Sequence, residues 1–189
     1  MTKLLFTSSD KIKLALLLVY RFDRGAYLVS TECGNYSSDV LAVEKDGRIT
    51  EIEVKVSVAD FKADFKKPKH KIFEHATTLK ESVWDKKFAF VPHLFYFAVP
   101  ESIVPDVLPL LMGKPYGVIS VPDIELQPRL HWIQANKYLK VVKRASAMRV
   151  HKITEPERKV IIGRMSSEMI NAKVKCITRN DHHEEIEET

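Results

Sequence analysis

The tripeptide Lys45-Asp46-Gly47 separates residues 38–44 from residues 48–57, two runs in which side chains of contrasting character alternate. An Asp-Gly step between such runs is a strong local signal for an antiparallel hairpin, because glycine takes the left-handed backbone of a tight turn without steric cost. Successive side chains of a strand point to opposite faces, so Ile52, Val54 and Val56 share one face while Glu51, Glu53, Lys55 and Ser57 share the other. Leu41, Val43 and Ile49 keep that second face partly apolar, which predicts a sheet covered on both sides.

The flanking segments supply the cover. Ser8, Ser9 and Asp10 are good caps for a helix over 11–24, stopped by Gly25. A strand is expected over 26–33, with Gly34-Asn35 turning the chain into the next. Ser57 with Asp60 three residues on reads as a capping box opening a second helix, on which Phe61 and Phe65 share a face. Pro68 bends or restarts this helix, which continues over 69–81. Short strands follow at 93–99, 116–121 and 139–142, then a helix at 156–172 with Pro156 in its first turn. The order helix, three strands, helix, strand describes an α/β fold, a central mixed sheet flanked by helices. The expectation is a single domain over 1–179 and an acidic, disordered tail over 180–189.

The formal net charge of the 189 residues is +5, but the last ten carry five carboxylates and no Lys or Arg, so the preceding body stands at +10. Such a field attracts polyanions, nucleic acid foremost. Two distant cysteines, Cys33 and Cys176, suggest neither a disulfide framework nor a zinc site, and a reducing compartment, the cytoplasm, is the plain expectation. The apolar run 14–20 is far short of the roughly 20 residues a spanning helix needs, so no membrane partner is expected.

Chemistry concentrates at the hairpin. If Lys45-Asp46-Gly47 forms a three-residue loop with Gly47 left-handed, Glu44 pairs with Arg48 and Asp39 falls opposite Glu53; a two-residue loop would set Asp39 against Val54. Two carboxylates held so close repel unless a cation or proton relieves them. A hard divalent ion suits, with Asp39, Glu53 and one backbone carbonyl as ligands and positions left for water and phosphate. Lys55, on the same face, would hold that water or a phosphate oxygen, the arrangement phosphodiester hydrolysis requires. The bland alternative is a solvated strand face carrying a weak ion pair.

The next helix brings Lys62, Lys66, Lys67, Lys69, His70 and Lys71, a basic run that is either a solvated face or a phosphate-binding surface. A second cluster, Lys137, Lys140, Lys143, Arg144, Arg149 and Lys152, extends that track or merely solubilises the surface. His70 and His75 lack a partner pattern for metal ligation, Trp84, Trp132 and the run Phe95-Tyr96-Phe97 read as core, and no serine or cysteine has the neighbours of a nucleophile.

The segments Ser38-Asp39-Val40-Leu41-Ala42-Val43 and Glu51-Ile52-Glu53-Val54-Lys55-Val56-Ser57 resemble the core of the PD-(D/E)XK nuclease superfamily. Thr31-Glu32, the run from Glu53 through Asp60-Phe61-Lys62-Ala63-Asp64, and the strand ending at Pro100 are similar to its MmcB-like DNA-repair group, over roughly residues 10–120. The resemblance implies a restriction-endonuclease-like core of αβββαβ order and a Mg²⁺ or Mn²⁺ cofactor. It implies Asp39 and Glu53 as metal ligands with the carbonyl of Val54, Lys55 as the catalytic lysine and Glu32 as an auxiliary acid. Many members take that extra acid from the first helix, and residues 11–21 contain none. The segment 72–92 is longer than its counterpart, and small stand-alone members also occur in phages. DNA is then the expected substrate, with RNA and pairing of two copies left open. The rival readings are a non-catalytic nucleic-acid-binding protein on the same fold and a protein-interaction factor.

Overall fold

Gly47 adopts φ of 85°, and its N–H donates to the Glu44 carbonyl while the Glu44 N–H donates to that of Arg48 at 2.8 Å. The loop is therefore the three-residue form. In this computed structural model, which describes residues 8–33, 38–76, 91–122, 139–149 and 151–187, with side chains only through 174 in the last stretch, the strands it joins are β2 (Ser38–Val43) and β3 (Ile49–Val54). Their register sets Val40 opposite Ile52 and Leu41 opposite Glu51, and one further step places Asp39 opposite Glu53.

Among the described residues, six strands form one mixed sheet in sequence order, from β1 (Leu28–Cys33) through β4 (Leu94–Pro100) and β5 (Gly117–Val121) to β6 (Lys140–Lys143). Both hairpins at the start are antiparallel; β3, β4 and β5 run parallel; β6 returns antiparallel. Parallel neighbours need a crossover, and the one from β3 to β4 carries α2 (Val58–Asp64) and α3 (Pro68–Ala76). As the capping-box spacing predicts, the Ser57 hydroxyl accepts the Asp60 N–H at 3.1 Å, and Pro68 restarts the helix. Residues 77–90, which hold the rest of the long segment and Trp84, lie outside the described residues.

Helix α1 (Ser8–Leu18) widens into a π-helical stretch, Val19–Asp23, before Gly25 turns away at φ of 65°. It buries Ile12, Leu16 and Tyr20 on an aliphatic sheet face made by Val40, Ala42, Ile52, Val54, Ala98 and Ile119. Val56, expected to extend that face, lies beyond the strand and is exposed. Gly117 has to be glycine, because a Cβ there would overlap the Tyr96 ring across the sheet.

The opposite face is divided. Leu41, Val43 and Ile49 pack with Ile161 of α5 (Glu155–Glu187), while Phe61 of α2 and Phe73 of α3 pack on Phe95, Phe97, Tyr116 and Val118. Glu51 and Glu53 lie between these two patches. The sequence reading ended the last helix at Ala172; it continues to Glu187, into the stretch expected to be a tail. Short helical turns at Glu101–Ile103, Val104–Val107 (α4) and Pro109–Leu111, unforeseen because Pro105 and Pro109 interrupt any helical period, bring Val107 and Leu111 onto the aromatic patch.

A buried charge cluster on the central strands

Glu53 ends the central strand β3 with its side chain 2% exposed, a position that costs several kcal/mol for a lone carboxylate. The cost is met by lysines. Lys55 lies beside it, Nζ to Oε2 at 3.2 Å; Lys67 reaches the same oxygen at 3.2 Å; Lys69 binds Oε1. The Lys55 backbone N–H still pairs with the Ala98 carbonyl of β4, which fixes the strand end that aims it.

Asp64, at the last turn of α2, completes the group. Its Oδ1 lies in ion-pair contact with Lys55 at 2.8 Å and Lys67 at 2.6 Å, and its Oδ2 binds His70 Nε2 at 2.7 Å. Burial disfavours the Asp64 carboxylate, but the hydrogen bonds from His70, Lys55 and Lys67 outweigh it and hold its pKa well below the usual range. Burial likewise opposes the charge on Lys55, and the bond to Asp64 and the charge of Glu53 overcome it, so its pKa is raised. His70 lies over Phe97 at a ring spacing of 5.9 Å, edge-on to Phe95 and Tyr116, and the Tyr116 hydroxyl donates to the His70 carbonyl. The aromatic platform thus fixes the helix start that carries the cluster. Beside it Glu51 is buried too, and burial pushes its carboxyl up to about 7.

The predicted residues therefore separate into two groups. Glu53 and Lys55 meet as expected. Asp39 comes to Val54, whose N–H donates to its Oδ2 at 2.8 Å, but its Oδ1 is held by Lys13 of α1 at 2.8 Å. Glu32, in a left-handed conformation at φ of 50°, reaches the same Lys13 at 2.5 Å. Of the five expected nucleic-acid contacts, Lys62, Lys66 and Lys67 are exposed, whereas Lys69 and His70 turn inward. Those two are corrected to interior partners of Glu53 and Asp64, because the sheet draws that side of α3 onto itself.

The second basic cluster also divides. Lys143 donates to the carbonyls of Lys114 and Tyr116, and Arg149 forms a two-pronged ion pair with Glu157; Lys137 lies outside the described residues. Asp64 and Lys13 were the residues sequence reasoning missed as site members. For Asp64 a signal existed, since it falls four residues after Asp60 and on the face of Phe61 that meets the sheet.

Among the described residues no three His, Cys, Asp or Glu side chains converge as a ready metal cage. The carboxylates of Glu53, Asp64 and Asp39 are each within ion-pair reach of an ammonium group. No described helix is long and apolar enough to cross a membrane.

The chain matches no family model and no curated protein. It is similar to the solved structure of a protein of unknown function from Silicibacter pomeroyi, at a TM-score of 0.51 and 17% identity over 90% of each chain. That likeness is one of fold.

Proposed function

We propose that this chain is a metal-dependent DNA nuclease with a restriction-endonuclease-like core, hydrolysing phosphodiester bonds around Glu53, Lys55 and Asp39. The observation that carries the reading is the Glu53–Lys55 pair at the end of the central parallel strand, 3.2 Å apart, with Asp39 bonded to the intervening Val54 N–H. Open α/β sheets bind ligands outside the carboxyl ends of their parallel strands. Lys62, Lys66 and Lys67 stand exposed beside it and supply sequence-independent attraction for phosphates.

Each residue has a task. Glu53 and Asp39 would hold a Mg²⁺ or Mn²⁺ ion with the Val54 carbonyl. Such an ion, when bound, lowers the pKa of water and offsets phosphate charge in the transition state. Lys55 stays protonated through Asp64 and Glu53, so it acts as a hydrogen-bond donor to the attacking oxygen or the phosphate and not as a base. Asp64 and His70 keep its amine aimed.

A second reading, a DNA-binding protein without turnover, draws on Lys13, which ties up Asp39 and Glu32 from the first helix, where many PD-(D/E)XK nucleases offer an acid. One experiment separates the two. Single-stranded, duplex, flap and branched DNA are incubated with the protein in Mg²⁺, Mn²⁺ or EDTA. Cleavage that needs the ion and drops at least about 100-fold in Glu53→Gln and Lys55→Ala is expected; cleavage in EDTA, or unchanged cleavage by the variants, would overturn the assignment. Salt-sensitive binding with no cleavage and no Mn²⁺ uptake would select the second reading.

A further inference from the structure

Helix α5 is far longer than its contact with the sheet. It runs for 33 residues, about 50 Å at the rise of an α-helix, yet Met165 is the last of its side chains in the core patch that holds Ile161. About six further turns continue from there to Glu187. A helix in a protein owes most of its stability to an apolar face buried against something else, because propensity alone contributes little. On α5 such a face is uncovered: Ile162, Met169 and Ile170 are 41%, 69% and 59% exposed.

Part of that face is shaped to receive a helix. Ile162, Met165, Met169 and Ala172 recur at intervals of three and four, the spacing of a seam between paired helices. They form one wall of a groove of about 460 Å³, and Leu17 of α1 with Leu28 and Val29 of β1 form the other. Among the described residues β1 is the outermost strand, so the groove lies at an edge of the sheet, where association with another chain is easiest.

Charge selects the occupant. Residues 158–179 hold six Lys or Arg and the single acid Glu168, whereas residues 180–189 hold five acids and no Lys or Arg, so the two parts stand at +5 and −5. A second α5 of the same sequence has the complementary polarity only when it runs the opposite way; laid parallel, it would set five acids against five.

We propose that α5 is a homodimer interface, in which the α5 of a second copy lies antiparallel along this groove with the two-fold axis near Met169. The contact is isologous, each copy offering the same face. Residues 181–187 of each copy then run beside residues 151–157 of the other, next to Lys152, Arg158 and Lys159 and the one exposed acid there, Glu155. This pairing stands apart from the nuclease reading, since its readout is mass and not turnover.

The test is sedimentation velocity of the full chain over a concentration series at low and high salt, with unfolding curves to confirm that each variant folds. The wild-type protein is expected at twice the mass of one chain. Met169→Lys, at an exposed position, is expected to remain monomeric with an unchanged unfolding curve. Glu184→Lys/Glu185→Lys should weaken dimerisation at least about tenfold at low salt, and adding Lys152→Glu/Lys159→Glu should recover it. A wild-type monomer at every concentration would overturn the proposal and leave the face to a partner of another kind. A dimer that Met169→Lys leaves intact would overturn the choice of face, and charge reversal without effect, or without recovery, would overturn the antiparallel arrangement.

Discussion

Two buried charge assemblies occupy the same molecule and differ in how completely they are closed from water. Near the start of α5, Arg149 and Glu157 make a two-pronged pair at 2.6 and 2.9 Å, and Glu157 also accepts the Thr154 N–H and hydroxyl. Every strong donor there meets an acceptor, one cation meets one anion, and the helix start is capped. Around Glu53 and Asp64 three lysines and His70 share the two acids, with Glu51 buried beside them, and Lys67 stands half in water. A closed pair serves the fold, whereas several ionisable groups with shifted pKa values gathered at a strand end are the pattern found at functional sites.

The largest effect expected from breaking this contrast is on the closed pair. Glu157→Gln leaves Arg149 buried without its counter-charge and should lower unfolding free energy by about 3 kcal/mol, read by urea denaturation, with DNA affinity unchanged once folding is secured. Lys67→Gln in the open cluster should shift the same curve by less than about 0.5 kcal/mol.

Acid should also distinguish the two. His93 accepts the Ile49 N–H through Nδ1 at 2.9 Å, and burial, aided by the Arg149 charge, lowers its pKa to about 4 from an ordinary 6.5. The unfolded chain therefore takes up a proton that the folded one refuses, so stability is fully present above about pH 6.5 and declines as pH falls toward 4. In His93→Gln that slope should flatten; a wild-type urea midpoint constant from pH 7 to 4 would contradict it. The smallest effect concerns the surface: Lys62→Ala should weaken DNA binding evenly across sequences and reduce the salt dependence by roughly one counter-ion, measured by anisotropy against salt.

The hairpin register was legible because Lys45-Asp46-Gly47 encodes its own turn and strand alternation does the rest. The capping of α2 by Ser57 and the break at Pro68 were local signals of the same kind. What the chain did not disclose was who neutralises Glu53. Six basic side chains between Lys62 and Lys71 look alike in sequence, and only the face that α3 turns to the sheet decides that Lys69 is an interior ion while Lys62 is solvated. Lys13 holding Asp39 was hidden for a related reason, since it depends on where α1 crosses the sheet edge. The Thr154 and Glu157 capping box was written plainly in the chain and passed over in favour of Pro156.

All six members of the open cluster, from Glu53 to His70, belong to one uninterrupted stretch that leaves β3 and crosses toward β4. A helix advances by about 100° for each residue. One amino acid gained or lost within α2 would therefore rotate Asp64 off the sheet and carry Lys67, Lys69 and His70 with it. This stretch accommodates changes of spelling but not of length, whereas the surface loops of the same protein have no such ruler imposed on them.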